Sequence, residues 1–283
     1  TRIICGGGKA LEASLSSSTD HAIQLTDLDR AVTVAKTAAA GANVFKPQYL
    51  RRTVYPEGSA ESKLVAQYEW PPEWLPWLRE ECGVCGLELM VTVYEPEHVP
   101  LIDPHVKRWK IASFEVQRAD LVQAVATTGK PLIVSTGVTG WRAAVDAVDD
   151  AIGLRSDVTY LHCVSAYPAK PDQMHLTLLQ VPWLSGFSDH TIGMTAAVIA
   201  VALGATVIEK HIRMTGDLSS EDARFSLDEK QFTEMVQQVR TTWEGMHVRD
   251  EGNNPSRQLR RSLYAVADIG EGEPFTEENV RSI

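Results

Sequence analysis

Trp183-Leu-Ser-Gly-Phe-Ser188 and Thr206-Val-Ile-Glu-Lys-His211 are two short, largely apolar runs that end in polar residues, and between them Thr191–Leu203 has helical length and apolar content and stops at Gly204. A strand, a helix closed by a C-cap glycine and a second strand make one βαβ unit. Working outward, Asn43–Lys46, Leu87–Val93, Arg108–Ser113, Pro131–Thr136 and Val158–Val164 repeat the strand character at near-regular spacing, and Asp27–Ala40 repeats the helix and ends in Gly41. Most of these runs show little alternation, which suits strands covered on both faces. The rhythm specifies a parallel sheet closed by crossover helices, a (β/α)₈ TIM barrel of class α/β. Closure needs an eighth strand, and Arg2–Cys5 and Ala10–Ser14 both qualify.

The chain has 283 residues, enough for such a barrel of about 250 residues. Residues 1–249 read as the barrel. The charged stretch 250–261, with Asn253-Asn254-Pro255, reads as a linker, and 262–283 as the start of something new. A formal charge of −10 argues against nucleic acid or an anionic membrane as partner, so an anionic substrate must be met by local lysines. No apolar run has the length of a membrane span and no signal peptide opens the chain, which predicts a cytoplasmic protein. Cys82-Gly-Val-Cys85 has zinc-knuckle spacing, but no second pair accompanies it, and it reads as a helix end passing into a strand.

In a barrel of this kind the C-terminal strand ends converge on one mouth, where polar residues read as chemistry. Lys46, Thr92, Lys110, Ser113, Ser135-Thr136, Ser165, Ser188-Asp189-His190 and Lys210-His211 all fall at such ends. Two lysines and several hydroxyls in one concavity give a phosphate or carboxylate a full set of donors. His190 and His211 end consecutive strands, and two neutral imidazoles with water and substrate oxygens make an open site for a first-row divalent metal.

Ser188-Asp-His-Thr-Ile-Gly193 with Val207-Ile-Glu-Lys-His211 resembles the sialic-acid synthase family. Lys110-Ile-Ala-Ser-Phe-Glu115, Val134-Ser-Thr-Gly137, His162-Cys-Val-Ser-Ala-Tyr-Pro168 and Arg224-Phe-Ser-Leu227 look most like its pseudaminic acid synthase branch. The resemblance implies condensation of phosphoenolpyruvate with an open-chain amino-sugar aldehyde to a nine-carbon 2-keto-3-deoxy acid and phosphate. It implies a divalent ion, Mn²⁺ or else Mg²⁺ or Co²⁺, on His190 and His211. By the same likeness Lys46, Thr92, Lys110, Ser113, Ser135 and Ser188 hold phosphoenolpyruvate, and Tyr94, Ser165, Tyr167 and Asp222 contact the sugar. It also implies a homodimer and a C-terminal antifreeze-like (SAF) domain, whose opening Arg261-Ser-Leu-Tyr264 matches.

Two departures stand out. The family's first-strand glutamate precedes an Asn-His pair that is missing here, leaving Glu12 as its candidate counterpart and His21 as a stand-in for the histidine. The family's Ser/Thr-Pro-Phe reads Thr92-Val-Tyr94. They keep two other readings open: the same chemistry on another aldehyde, such as N-acetylmannosamine, a legionaminate precursor or a natural-product intermediate, and a non-catalytic barrel used for binding or assembly.

Overall fold

The computed structural model describes residues 2–7, 40–66, 69–213, 221–247 and 259–283, with 2–7, 221 and 247 described by backbone alone. Its parallel strands are β1 (Arg2–Gly7), β2 (Val44–Tyr49), β3 (Glu88–Leu89), β4 (Val91–Val93), β5 (Trp109–Ile111), β6 (Leu132–Ser135), β7 (Val158–Cys163), β8 (Leu184–Asp189) and β9 (Val207–His211). β3 and β4 are one run interrupted at Met90, and both pair with β2. The sheet runs β1-β9-β8-β7-β6-β5-β4-β2, and a further β1–β2 pairing closes it into the eight-stranded barrel. The eighth strand is therefore Arg2–Gly7, through Ile4↔Val44 on one side and Ile4↔Glu209 on the other. Ala10–Ser14 and, except for Ala40, the expected helix Asp27–Ala40 lie outside the described residues.

Side chains alternate across each strand, and the two faces build different layers. Inside the barrel, Val44, Met90, Ile133 and Leu161 form a small cluster with Val207 packed against it, the floor of the interior. Outward, Phe45, Val91, Trp109, Ile111, Leu132, Val134 and Tyr160 join the larger core under the helices Trp74–Val84, Ala119–Ala126 and Trp141–Ile152. Phe187 and Ile208 join a second core under Thr195–Ala202 and Glu229–His247. The last helix buries Phe232, Met235, Val236 and Val239, the i, i+3, i+4, i+7 stripe that seats a helix on a sheet. Each large apolar side chain so buried contributes about 1.5–3 kcal/mol.

Gly186 occupies the floor position of β8. A Cβ there would sit 2.4 Å from the Val207 carbonyl oxygen and 2.7 Å from Leu161 Cδ2, so only glycine lets β8 close against its neighbours. Cys82 is buried inside the helix Trp74–Val84 and Cys85 ends it, two residues before Leu87 enters the core, and neither is in a disulfide.

The chain divides into two compact units, Thr1–Met246 and His247–Ile283. In the second, β10 (Leu263–Ala265) pairs antiparallel with β11 (Val280–Ser282). Its buried Asn279 accepts the Thr276 N–H and donates its amide to the Pro274 carbonyl. Among the described residues, no helix is long and apolar enough to cross a membrane.

Candidate active site

One pleat above the floor, the inward positions turn polar. Two residues beyond Val44, Met90, Ile133, Gly186 and Val207 stand Lys46, Thr92, Ser135, Ser188 and Glu209, and β5 contributes Lys110 at the same level. All six are buried and line one cavity of about 520 Å³ at the C-terminal end of the barrel. The period of two that makes an apolar floor thus lifts a polar ring above it.

The ring is organised around one carboxylate. Lys46 Nζ lies 3.0 Å from Glu209 Oε1 and donates to Thr92 Oγ1 at 3.4 Å. Lys110 Nζ stands 3.8 Å from Glu209 Oε2 and donates to Ser135 Oγ at 2.8 Å and to the Ile111 carbonyl at 2.9 Å. Burial pushes the Lys110 ammonium down, opposed by Glu209. Burial alone would raise the Glu209 carboxyl, but Lys110 and Lys46 outweigh it and hold Glu209 well below the usual carboxylate range. Two cations share one anion, and Glu209 Oε2 has no hydrogen-bond partner among the described residues. The cluster therefore carries a net positive charge in a desolvated pocket, a setting that favours an anion.

Beside it, the rings of His190 and His211 lie 5.6 Å apart between centroids, tilted by 59°. His190 Nδ1 donates to the Val164 carbonyl at 3.0 Å, which fixes the tautomer and leaves Nε2 as the lone-pair nitrogen. Burial first, then the neighbouring His211, hold His190 at about 4; burial first, then Lys46, hold His211 at about 3. Both imidazoles are neutral at physiological pH, the form that ligates a metal. Among the described residues no three His, Cys, Asp or Glu side chains gather into a closed metal cage. Two neutral imidazoles side by side are a donor pair whose chemistry fits a first-row divalent ion. Phe225 packs edge-on against both rings, at 5.7 and 5.1 Å, and Asp222 Oδ2 is 3.5 Å from His211 Nδ1.

Residues past the strand ends make the other side. Tyr94 lines the cavity and donates to Gln48 Oε1. Ser113 and Ser165 join hydroxyl to hydroxyl at 2.7 Å, and the Tyr167 ring lies 4.4 Å from that of His190. Of the residues singled out by sequence, Lys46, Thr92, Tyr94, Lys110, Ser113, Ser135, Tyr167, Ser188, His190, His211 and Asp222 line this one cavity, and Ser165 is tied to it through Ser113. Glu12 and His21 lie outside the described residues.

Residues 32–250 match the NeuB family. The chain belongs to the NeuB family. It is 36% identical over 237 residues to a pseudaminic acid synthase of Campylobacter jejuni, covering 78% of this chain and 68% of that one. It is 32% identical over 253 residues to an N,N'-diacetyllegionaminic acid synthase of Legionella pneumophila, covering 84% and 71%. A crystal structure of an N-acetylneuraminic acid synthetase from Leptospira borgpetersenii superposes with a TM-score of 0.76 at 23% identity, over 91% of this chain and 88% of that one, and shares the fold.

The geometry of this NeuB-family barrel corrects the strand-end reading at three positions. Thr136, Asp189 and Lys210 do not join the cavity. Asp189 and Lys210 are buried on the opposite face, 3.1 Å apart, where Lys210 also donates to the Thr191 carbonyl and Asp189 Oδ1 receives the Thr191 N–H and hydroxyl. Thr136 bonds back to the Leu161 carbonyl. A residue next to a site residue on a strand points away from it. The same rule, counted back from His211, puts Glu209 in the site, a position the sequence reading passed over. Gln48, Glu115, Cys163, Arg224 and Phe225 also line the cavity without having been singled out.

Proposed function

We propose that the protein condenses phosphoenolpyruvate with an open-chain amino-sugar aldehyde, giving a nine-carbon 2-keto-3-deoxy acid and phosphate, in the manner of a pseudaminic acid synthase. The observation that carries this reading is the buried Lys46–Glu209–Lys110 cluster with its hydroxyls, set directly beside two neutral histidines. It supports an anion with both phosphate and carboxylate groups next to a carbonyl that needs polarising.

Lys46 and Lys110 bind the two anionic groups, and Thr92, Ser113, Ser135 and Ser188 add neutral donors that fix its orientation. Glu209 pairs with both ammonium groups and aims them before the substrate arrives. C3 of phosphoenolpyruvate attacks the aldehyde carbon, water adds to the cationic C2 with loss of a proton, and C–O cleavage expels phosphate. His190 and His211 would hold a divalent ion, Mn²⁺ in our reading, which supplies Lewis-acid polarisation of the acceptor's carbonyl oxygen. The Val164 carbonyl holds the His190 ring in its ligating tautomer. Tyr94, Ser165, Tyr167 and Asp222 face the acceptor, and Glu12 is assigned the family's first-strand carboxylate. The active full-length form is proposed to be a homodimer.

The likeness to a legionaminic acid synthase at 32% identity favours one variant of this reading, the same chemistry on a different acylamino aldehyde. Phosphate release from phosphoenolpyruvate by the full-length protein, measured with a panel of aldehydes and with and without added Mn²⁺, tests both. Release is expected with a 2,4-diacetamido-trideoxy hexose and only with metal present. Release with another aldehyde alone would select the variant, and none with any aldehyde would overturn the reading.

A further inference from the structure

Phe114 is 61% exposed and lines the cavity. It follows Ser113 in the loop after β5, and its ring lies nearly parallel to that of Tyr167, 6.3 Å away at 23°. The hydroxyl pair Ser113–Ser165 ties the two loops together beside this stack. Tyr167 in turn lies 4.4 Å from His190 and 5.5 Å from the buried Phe225. A continuous aromatic strip therefore runs from the two histidines to the open edge of the cavity, with Phe114 as its last member. Scattered exposed apolar residues are ordinary on a protein surface. A phenyl ring stacked at the rim of a pocket, in line with a reacting centre, is a built wall.

We propose that Phe114, stacked on Tyr167, is a specificity-determining residue that receives the far end of the acceptor and favours a methyl over a hydroxymethyl group there. The inference rests on the reading above, in which the acceptor's aldehyde carbon sits by His190 and His211. An open-chain sugar anchored at that end lays its later carbons along the strip and ends at Phe114. The phenyl ring offers no hydrogen bond, so a hydroxyl pressed on it loses water without replacement. A methyl group gains from apolar burial and meets the electron-rich ring face with its C–H bonds.

The test compares the full-length wild type with Phe114→Ala and Phe114→Leu on two acylamino aldoses that differ only in the last carbon, methyl or hydroxymethyl. The wild type is expected to prefer the methyl aldose by about tenfold in kcat/KM, the lower end of what one such group allows in an apolar pocket, because Phe114 is partly open to solvent. Phe114→Ala should lose that preference through KM for the aldose, Phe114→Leu should keep part of it, and KM for phosphoenolpyruvate should stay unchanged in both. Turnover with the preference intact in Phe114→Ala, or with both KM values rising together, would overturn the inference and leave the reaction standing. Absence of wild-type turnover on either aldose and on the wider panel would overturn the reaction itself and the inference with it.

Discussion

Lys46, Thr92, Lys110, Ser135, Ser188 and Glu209 stand on strands, one pleat above an apolar floor, whereas Tyr94, Phe114, Tyr167 and Asp222 stand beyond the strand ends. The first group inherits its positions from a backbone bonded on both sides to neighbouring strands. The second is held by individual side-chain contacts, such as Tyr94 to Gln48, and Arg118, which donates to the Tyr94 carbonyl at 2.8 Å and pairs with Glu95 at 3.2 Å and Glu115 at 3.7 Å. A barrel built this way ties the strand half to the sheet, because moving it means moving the sheet. The loop half can change one loop at a time without moving a strand.

The comparison breaks most sharply at the histidines, which end strands yet border the loop half. His211→Ala is expected to lower turnover by on the order of 10²–10³-fold, the scale for losing one group that stabilises developing charge. Metal binding by the unreacted protein, followed by Mn²⁺ titration, should weaken in parallel. Retained metal affinity would remove His211 from the ion's site and leave a loss of activity to be explained by packing against Phe225.

Lys110→Met probes the strand half directly. Loss of a buried charge-assisted bond costs about 1.5–3 kcal/mol, so KM for phosphoenolpyruvate should rise roughly 10- to 150-fold while KM for the aldehyde changes little. Equal effects on both substrates would erase the distinction between the halves.

Much of the strand half was legible in the sequence because it follows from arithmetic. Once Asn43–Lys46 and Pro131–Thr136 are strands with apolar bodies and polar ends, convergence at one mouth follows. The same arithmetic places Glu209 inside and Asp189 and Lys210 outside. Taking every polar residue at a strand end as facing the mouth, without applying alternation, hides that. The choice between Arg2–Cys5 and Ala10–Ser14 for the eighth strand required pairing partners, which a local run does not name. Phe114 was not legible as a wall, since its position depends on the path of a loop and on Tyr167, 53 residues away in the chain.

Gly186→Ala asks how firmly the floor sets the ring above it. A Cβ there overlaps the Val207 carbonyl and Leu161, and overpacking of this kind costs about 1–3 kcal/mol. A lower midpoint in thermal unfolding is expected, with a higher KM for phosphoenolpyruvate in the folded protein, because Ser188 and Glu209 ride on the two strands forced apart. An unchanged KM beside a lower midpoint would mean that the ring is held independently of the floor.

The smallest expected effect concerns His162, which lies on β7 but faces out of the barrel and belongs to neither half. Its Nε2–H donates to the Met174 carbonyl at 2.6 Å and its ring stacks on Phe187 at 5.8 Å. Burial lowers its pKa, against the pull of the Met174 carbonyl, and His175 nearby lowers it further. Above the unfolded-state value of about 6.5 the ring is neutral in both states and contributes no pH dependence. As pH falls below that value the unfolded chain takes up the proton first, so stability declines until the folded-state pKa is passed. Unfolding midpoints measured between pH 7.5 and 5 should therefore fall more steeply for the wild type than for His162→Gln, whose amide can still donate to Met174. Parallel slopes would assign the acid sensitivity elsewhere, while a shallower slope in the variant with an unchanged KM for phosphoenolpyruvate would show that the outer face of β7 tunes stability without reaching the ring of donors inside.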